Sequence, residues 1–359
     1  MIAWEVMLVG ALAAAACALP GTFLVLRGMS LVGDAISHAV LPGIVLAFLI
    51  TNSSSALPVV IGTGLFGLFT VFLIETVRRS RRVKEDAAIA VVFPALFALG
   101  VLLLAQYVPT GKDLDQDCVL YGEIALVGFD TMDFAGLVLI RPAVSLGIVL
   151  ALNAVFIALL FKELKVATFD PGLAASLGIS PILLHYLLMG SVSLTTVASF
   201  DAVGAILVVA FLIVPAATAY LLTDRLGIML GLSVVFGVAA SCAGYLVAQS
   251  IGDVSIAGCM AAAMGALFGI VWVFSPREGI LGRWRRRREN TERFAQALVL
   301  ARLVREPATT ARVAEDLAWE ADRVTGLCDV LAGNGLIESA GPTLRATRAG
   351  RGFLDAVVG

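Results

Sequence analysis

The stretch RGMSLVGDAISHAVLPG, residues Arg27 to Gly43, sets an acid and an imidazole inside a run that otherwise has the composition of a membrane helix. On a helix Asp34 and His38 lie one turn apart and share a face. An ionisable side chain at the bilayer centre costs on the order of 3 kcal/mol, so such residues normally face a cavity or a substrate path. A carboxylate with a neutral imidazole is a ligand pair for a divalent transition metal: imidazole suits Zn, Fe and Ni, and carboxylate accommodates Mn. The competing explanation is that Asp34 and His38 pair with each other as glue between helices. Ser37 reads as a packing or capping hydroxyl. The second histidine, His185, has no acid four residues away and is expected at the membrane interface. Pro42 and Gly43 are expected to bend or loosen the helix just beyond His38.

The rest of the chain supports the membrane reading. Of 359 residues, 60% are hydrophobic and 14% charged, and the mean hydropathy of +0.98 is far above that of a soluble globular enzyme. Apolar runs of spanning length fall at about 5–26, 31–50, 56–77, 87–107, 134–161, 181–199, 202–222, 227–249 and 256–275. The expected fold is an all-α polytopic membrane protein with eight or nine transmembrane helices. Glu5 precedes the first run and Arg27 follows it, the pattern of a retained span, not a cleaved signal peptide. The five cysteines form no C-x-x-C pair and read as packing residues.

Basic residues in the short loops at Arg78–Lys84, Phe161–Lys165, Thr223–Arg225 and Arg283–Arg288 place those loops in the cytoplasm. Nine spans satisfy all four, with the acidic segment GKDLDQDCVLYGE, Gly111 to Glu123, outside and the C-terminus inside. Within the loop KELKVATFDPGLAASLG, Lys162 to Gly178, Pro171 is suited to start a short helix, with Asp170 at its N-cap and Gly178 beyond its end. Ordinary loop capping accounts for that pattern on its own terms. No G-x-x-x-x-G-K-[ST] occurs, so the chain is not expected to hydrolyse ATP.

Four blocks resemble, in order, the membrane subunits of the manganese, zinc and iron ATP-binding-cassette importers: RGMSLVGDAISHAVLPG, EDAAIAVVFPALFALGVLL (Glu85 to Leu103), KELKVATFDPGLAASLG, and VGAILVVAFLIVPAATAYLLTDRL (Val203 to Leu226). The resemblance covers about the first 275 residues. It implies a permease of the bacterial cytoplasmic membrane that pairs with a second permease, identical or not. Such a permease receives metal from an extracytoplasmic metal-binding protein and is driven by two cytoplasmic ATP-binding subunits. No cofactor is held permanently: the divalent metal, manganese or alternatively iron or zinc, is cargo, and ATP enters only through the partners. By the same resemblance Asp34 and His38 are the intramembrane metal ligands. The loop becomes a helix that docks on the ATPase, with Phe169 as apolar anchor, Asp170 as cap, and Ala174 and Gly178 in the coupling segment. The block DLDQDCVLYGEI, Asp113 to Ile124, looks more like the manganese/iron branch than the zinc branch, which commonly has a histidine-rich segment absent here.

After Ser275 the composition changes: 14 Arg and 11 Asp+Glu occur from Pro276 to the end. We expect a permease domain over 1–276, a basic juxtamembrane linker over 277–290 that meets anionic lipid, and a cytoplasmic domain over 291–359. In the last, TERFAQALVLARLVRE, TTARVAEDLAW and EADRVTGLCDVLAGNG read as helices and LIESAGPTLRATRAG as a hairpin, the order of a small α+β winged helix. It resembles the DNA-binding part of metal-dependent repressors. From Thr291 onward, however, eight Arg face nine Asp+Glu, and nucleic acid is therefore the less favoured partner. Arg312, Arg323, Arg345 and Arg348 are the candidate contacts to DNA or to a protein partner, with Arg345, Arg348 and Arg351 assigned to the wing.

Two other classes compete with the importer: a permease for an organic metal chelate, and a membrane-tethered metal-responsive transcriptional regulator. A chelate permease does not need Asp34 and His38 as direct ligands. A pure sensor does not need the loop from Phe169 to Gly178. Both features favour the importer.

Overall fold

The computed structural model describes residues 2–51, 56–79, 84–107, 124–134, 137–252, 254–275, 279–340 and 343–358. Residues 80–83 of the first basic loop, all of the acidic segment 111–123 and Cys118 lie outside them. The chain divides into two units, Met1–Val273 and Phe274–Gly359.

The first unit is built of helices: α1 (Ile2–Leu26), α2 (Ser30–Thr51), α3 (Ala56–Arg79), α4 (Glu85–Tyr107), α5 (Arg141–Leu159), α6 (Phe161–Phe169), α7 (Pro171–Ser176), α8 (Pro181–Val203), α9 (Ala205–Tyr220), α10 (Leu226–Ile251) and α11 (Ile256–Phe274). Among the described residues eight helices are long and apolar enough to cross a membrane. In a bilayer each backbone N–H and C=O must be satisfied within its own helix, and long apolar sequences have no other spanning form besides a closed barrel.

The run expected at 202–222 differs: α9 has 16 residues, shorter than a full span. Gly204, at φ +80°, ends α8 and starts α9, and its backbone N–H still donates to Phe200 O at 3.0 Å. A side chain is disfavoured at that φ, and glycine accepts it. The run expected from 134 also begins late. A short antiparallel hairpin, β1 (Thr131–Phe134) with β2 (Leu137–Ile140), precedes α5, whose start is set by Pro142 in its first turn.

α1 is central: 72% of its spanning window is buried within the unit, against 11% of that of α11. Polar side chains bind it to its neighbours. Asn153 of α5, buried, donates from Nδ2 to Ala16 O (3.1 Å) and to Thr195 Oγ1 of α8 (2.7 Å), and accepts from Ser191 Oγ (2.8 Å). Thr22 of α1 shares a hydrogen bond with Ser233 of α10 at 2.9 Å. Such contacts hold helices together where lipid removes the hydrophobic drive for association.

α2 runs unbroken through Pro42. Gly43 lets α3 approach α2, and Gly100 lets α4 approach at Pro42. A Cβ on Gly43 would lie 2.8 Å from Phe66 Cβ, and one on Gly100 of α4 would lie 2.7 Å from Pro42 Cδ.

The second unit consists of α12 (Ile280–Arg305), α13 (Thr310–Leu317), α14 (Ala321–Gly333), the antiparallel pair β3 (Ile337–Ala340) and β4 (Thr343–Ala346), and α15 (Arg348–Val358). Val299, Leu300, Leu303, Val313, Val324, Leu331 and Ile337 form its core. Thr309 caps α13 by accepting from Arg312 N at 3.3 Å. Ala308 and Leu344 exchange backbone hydrogen bonds of 3.3 and 2.9 Å, which adds the turn before α13 to the edge of the hairpin. The basic run Arg283–Arg288 lies in the first part of α12, which is continuous from Ile280. Arg348 and Arg351 belong to α15, not to the hairpin, because Thr347 caps that helix through Oγ1 to Gly350 N at 3.1 Å.

Candidate functional site

α1 ends in a tight turn that aims α2. Gly28 N donates to Val25 O at 3.1 Å and Met29 N to Leu24 O at 2.9 Å, with Gly28 at φ +70°. This double closure satisfies the last carbonyls of α1 and is rigid. α2 starts at Ser30, so Asp34 lies just over one turn into it. Asp34 is half-buried, between buried Val32, Ala35 and Ile36. Ser37 donates back to Gly33 O at 2.9 Å, which spends its hydroxyl within the helix. His38 follows Asp34 by one turn of the same helix; its side chain lies outside the described residues. Among the described residues no cluster of three or more His, Cys, Asp or Glu comes together as a metal cage. Asp34 offers one carboxylate on α2.

The second candidate element is the α6–α7 corner. Asp170 has φ −144°, which breaks the helix, and its Oδ1 accepts from Leu173 N at 2.9 Å, capping α7. Gly178, at φ +79°, follows the end of α7 in the left-handed region. Phe169, Leu173 and Leu177 are 60%, 49% and 61% exposed, an apolar group around one short helix. Ala174, expected in the coupling segment, is fully buried and packs α7 onto the unit.

Beside this corner lies a cavity of about 380 Å³ lined by Arg27, Glu75, Arg78, Thr168, His185 and Tyr186, among others. Arg78 pairs with Glu75 at 2.8 Å. Arg27 Nε donates to Thr168 Oγ1 at 3.2 Å. His185 is thus at a helix start beside charged groups, and Arg27, which the sequence offered only as a flanking charge, is a structural tie. Asn153 was passed over too; its one visible signal was an amide in the middle of an apolar run.

In the second unit the four candidate arginines lie on α13, α14, β4 and α15. Arg312 lies 4.0 Å from Glu315 and 3.9 Å from Asp316, and Asp316 is held at 2.6 Å by Arg302. Arg323 stacks over Trp319, 5.0 Å from the ring centroid. Arg345 stands opposite Glu338 in the hairpin register, and Arg348 opens α15. Internal partners thus occupy or face three of the four. Burial, and after it Asp329, raises the pKa of the Cys328 thiol above its ordinary value.

Comparison with known proteins places these features. The profile of the ABC 3 transport family matches residues 2–275, where the helical unit ends. The chain of PsaBC from Streptococcus pneumoniae, solved in complex with Fab, superposes with a TM-score of 0.64 at 31% identity, over 77% of this chain and 92% of that one. The helical unit is thus a multi-pass membrane permease, a non-catalytic transporter subunit. The chain belongs to the ABC 3 transport family. It is 48% identical over 280 residues to the manganese transport system membrane protein MntD of Bacillus subtilis (strain 168), covering 78% of this chain and 94% of that protein. It is 41% identical over 354 residues to the zinc transport system membrane protein TroD of Treponema pallidum (strain Nichols), 96% of each. The second alignment necessarily extends into the unit after Phe274.

Proposed function

We propose that the chain is the membrane subunit of an ATP-driven importer of divalent manganese in the bacterial cytoplasmic membrane. The observation that carries this reading is Asp34, a half-buried carboxylate on α2 one turn before a histidine, in a chain whose relatives are named for manganese and zinc transport. Asp34 and His38 supply two ligands per chain. A divalent metal takes at least four, so a second permease subunit contributes the remainder at the contact between copies. An extracytoplasmic binding protein delivers the ion. Two ATP-binding subunits dock on α7, with Phe169 as anchor and Asp170 as the cap that holds it.

The unit after Phe274 is read as a cytoplasmic winged helix, supported by the order of three helices, hairpin and final helix and by the Ala308–Leu344 bridge. The internal pairing of Arg312 and the stacking of Arg323 favour a regulatory or protein-binding role over DNA. The basic run at the start of α12 has the charge to attract anionic lipid headgroups.

The test is uptake of radiolabelled manganese into proteoliposomes holding the permease with its ATPase and binding protein, with zinc and iron as competitors. Saturable ATP-dependent uptake in which manganese outcompetes both supports the proposal. Preferential zinc uptake reassigns the cargo, and absence of uptake of all three overturns it.

A further inference from the structure

A side-chain hydrogen bond ties the α6–α7 corner to the turn that precedes α2. Arg27 is the last residue before the Gly28 turn, and its Nε donates to Thr168 Oγ1 at 3.2 Å. Thr168 stands two residues before Asp170, whose carboxylate caps α7. On the other side Arg27 N donates to Phe23 O at 3.0 Å, Gly28 N to Val25 O and Met29 N to Leu24 O, and Val32 N of α2 to Met29 O at 3.1 Å. Continuous backbone hydrogen bonding therefore leads from Arg27 into the turn of α2 that bears Asp34. We propose that Arg27 and Thr168 are positioning residues that transmit displacement of the ATPase-docked corner to the metal helix. The proposal rests on the importer reading above.

Two observations favour transmission through this contact over transmission through packing. The cavity of about 380 Å³ is lined by Leu26 and Arg27 at the end of α1, Glu75 and Arg78 of α3, Ala167 and Thr168 of α6, and Pro181 and His185 of α8. On the cavity side of this junction fewer close-packed neighbours are available to push against, so apolar contact transmits less there, while Leu164 and Ala167 of α6 pack in the core. A directional polar contact spans such a space. Secondly, Arg27 Nη2 is buried with no hydrogen-bond partner among the described residues. Thr168 Oγ1 is thus a side-chain anchor for a partly buried guanidinium. When Thr168 moves, either Arg27 follows it or a buried cation loses a further contact, and the second outcome is the more costly.

The contact is tested in the assembled transporter by measuring metal ions imported per ATP hydrolysed. Thr168→Val keeps the volume and removes the hydroxyl; Thr168→Ser keeps the hydroxyl. A hydrogen bond to a charged group shifts a two-state balance by about tenfold or more. Thr168→Val and Arg27→Gln should each lower the ratio of metal to ATP by about tenfold. Thr168→Ser should restore it, and the Arg27→Gln/Thr168→Val double variant should be no worse than either single one. A purely structural role would lower both quantities together and leave the ratio alone. The proposal is overturned if Thr168→Val keeps the wild-type ratio, if Thr168→Ser is as defective as Thr168→Val, or if the double variant shows additive loss. Should the wild-type complex import no metal at all, it is the importer reading that fails, since the ratio is then undefined for every variant.

Discussion

Replacing Phe169 by Ala measures how much of the docking energy resides in one exposed ring. The ring is 60% exposed. A phenylalanine side chain buries on the order of 200 Å² when fully enclosed, so about 120 Å² remains to be covered by a partner. At roughly 25 cal/mol per Å² this amounts to about 3 kcal/mol. Immobilising the ring costs about 0.5–1 kcal/mol, and the net is about 2 kcal/mol, or roughly thirtyfold in affinity. The assay is equilibrium binding of the purified ATPase to permease held in lipid nanodiscs, wild type against Phe169→Ala, with circular dichroism as the check on folding. The expected result is a Kd about thirtyfold weaker. A Kd within about twofold of wild type would refute the reasoning, because an anchor that loses about 120 Å² of apolar contact cannot be neutral. The exposed Leu173 and Leu177 would then carry the contact instead.

Asp34→Ala and His38→Ala should each abolish metal uptake while leaving ATPase binding intact; uptake at the wild-type rate by either variant removes that residue from the metal path. Asn153→Leu takes away two donors and an acceptor that bind α5 to α1 and α8, and should cost about 1 kcal/mol in a reversible unfolding titration in micelles; no shift in the midpoint would mean the network is incidental. Deleting the chain after Arg288 should preserve uptake, since the helical unit contains Asp34, His38 and the α6–α7 corner to which the proposal assigns metal binding and docking. A permease that assembles but no longer transports would show the tail to be part of the transport cycle. For Cys328 the folded pKa is raised by burial and then by Asp329. Its contribution to stability is therefore present below the ordinary thiol pKa and is lost as pH rises through the raised value. The stability of the full-length protein's tail should fall more as pH rises above about 9 than it does in Cys328→Ala; parallel profiles would contradict the assignment.

Composition and period alone determined that the chain is a multi-pass membrane protein, because twenty apolar residues in succession have few alternatives to a spanning helix. Spacing placed Asp34 and His38 on one face, and Asp170 before Pro171 marked the start of α7, since capping is local chemistry between residues three apart. The tertiary structure decided what local rules leave open. It divided the eighth and ninth helices at Gly204, where a positive φ turns a run of uniform hydropathy into two pieces. It buried Ala174, and it drew Arg348 and Arg351 into a helix through the Thr347 cap. It also brought Arg27 to Thr168 across 141 residues of sequence. Hydropathy and capping act over one or two turns and can be read along the chain. A hydrogen bond between distant segments exists only once the helices have packed, and no periodicity in the sequence announces it.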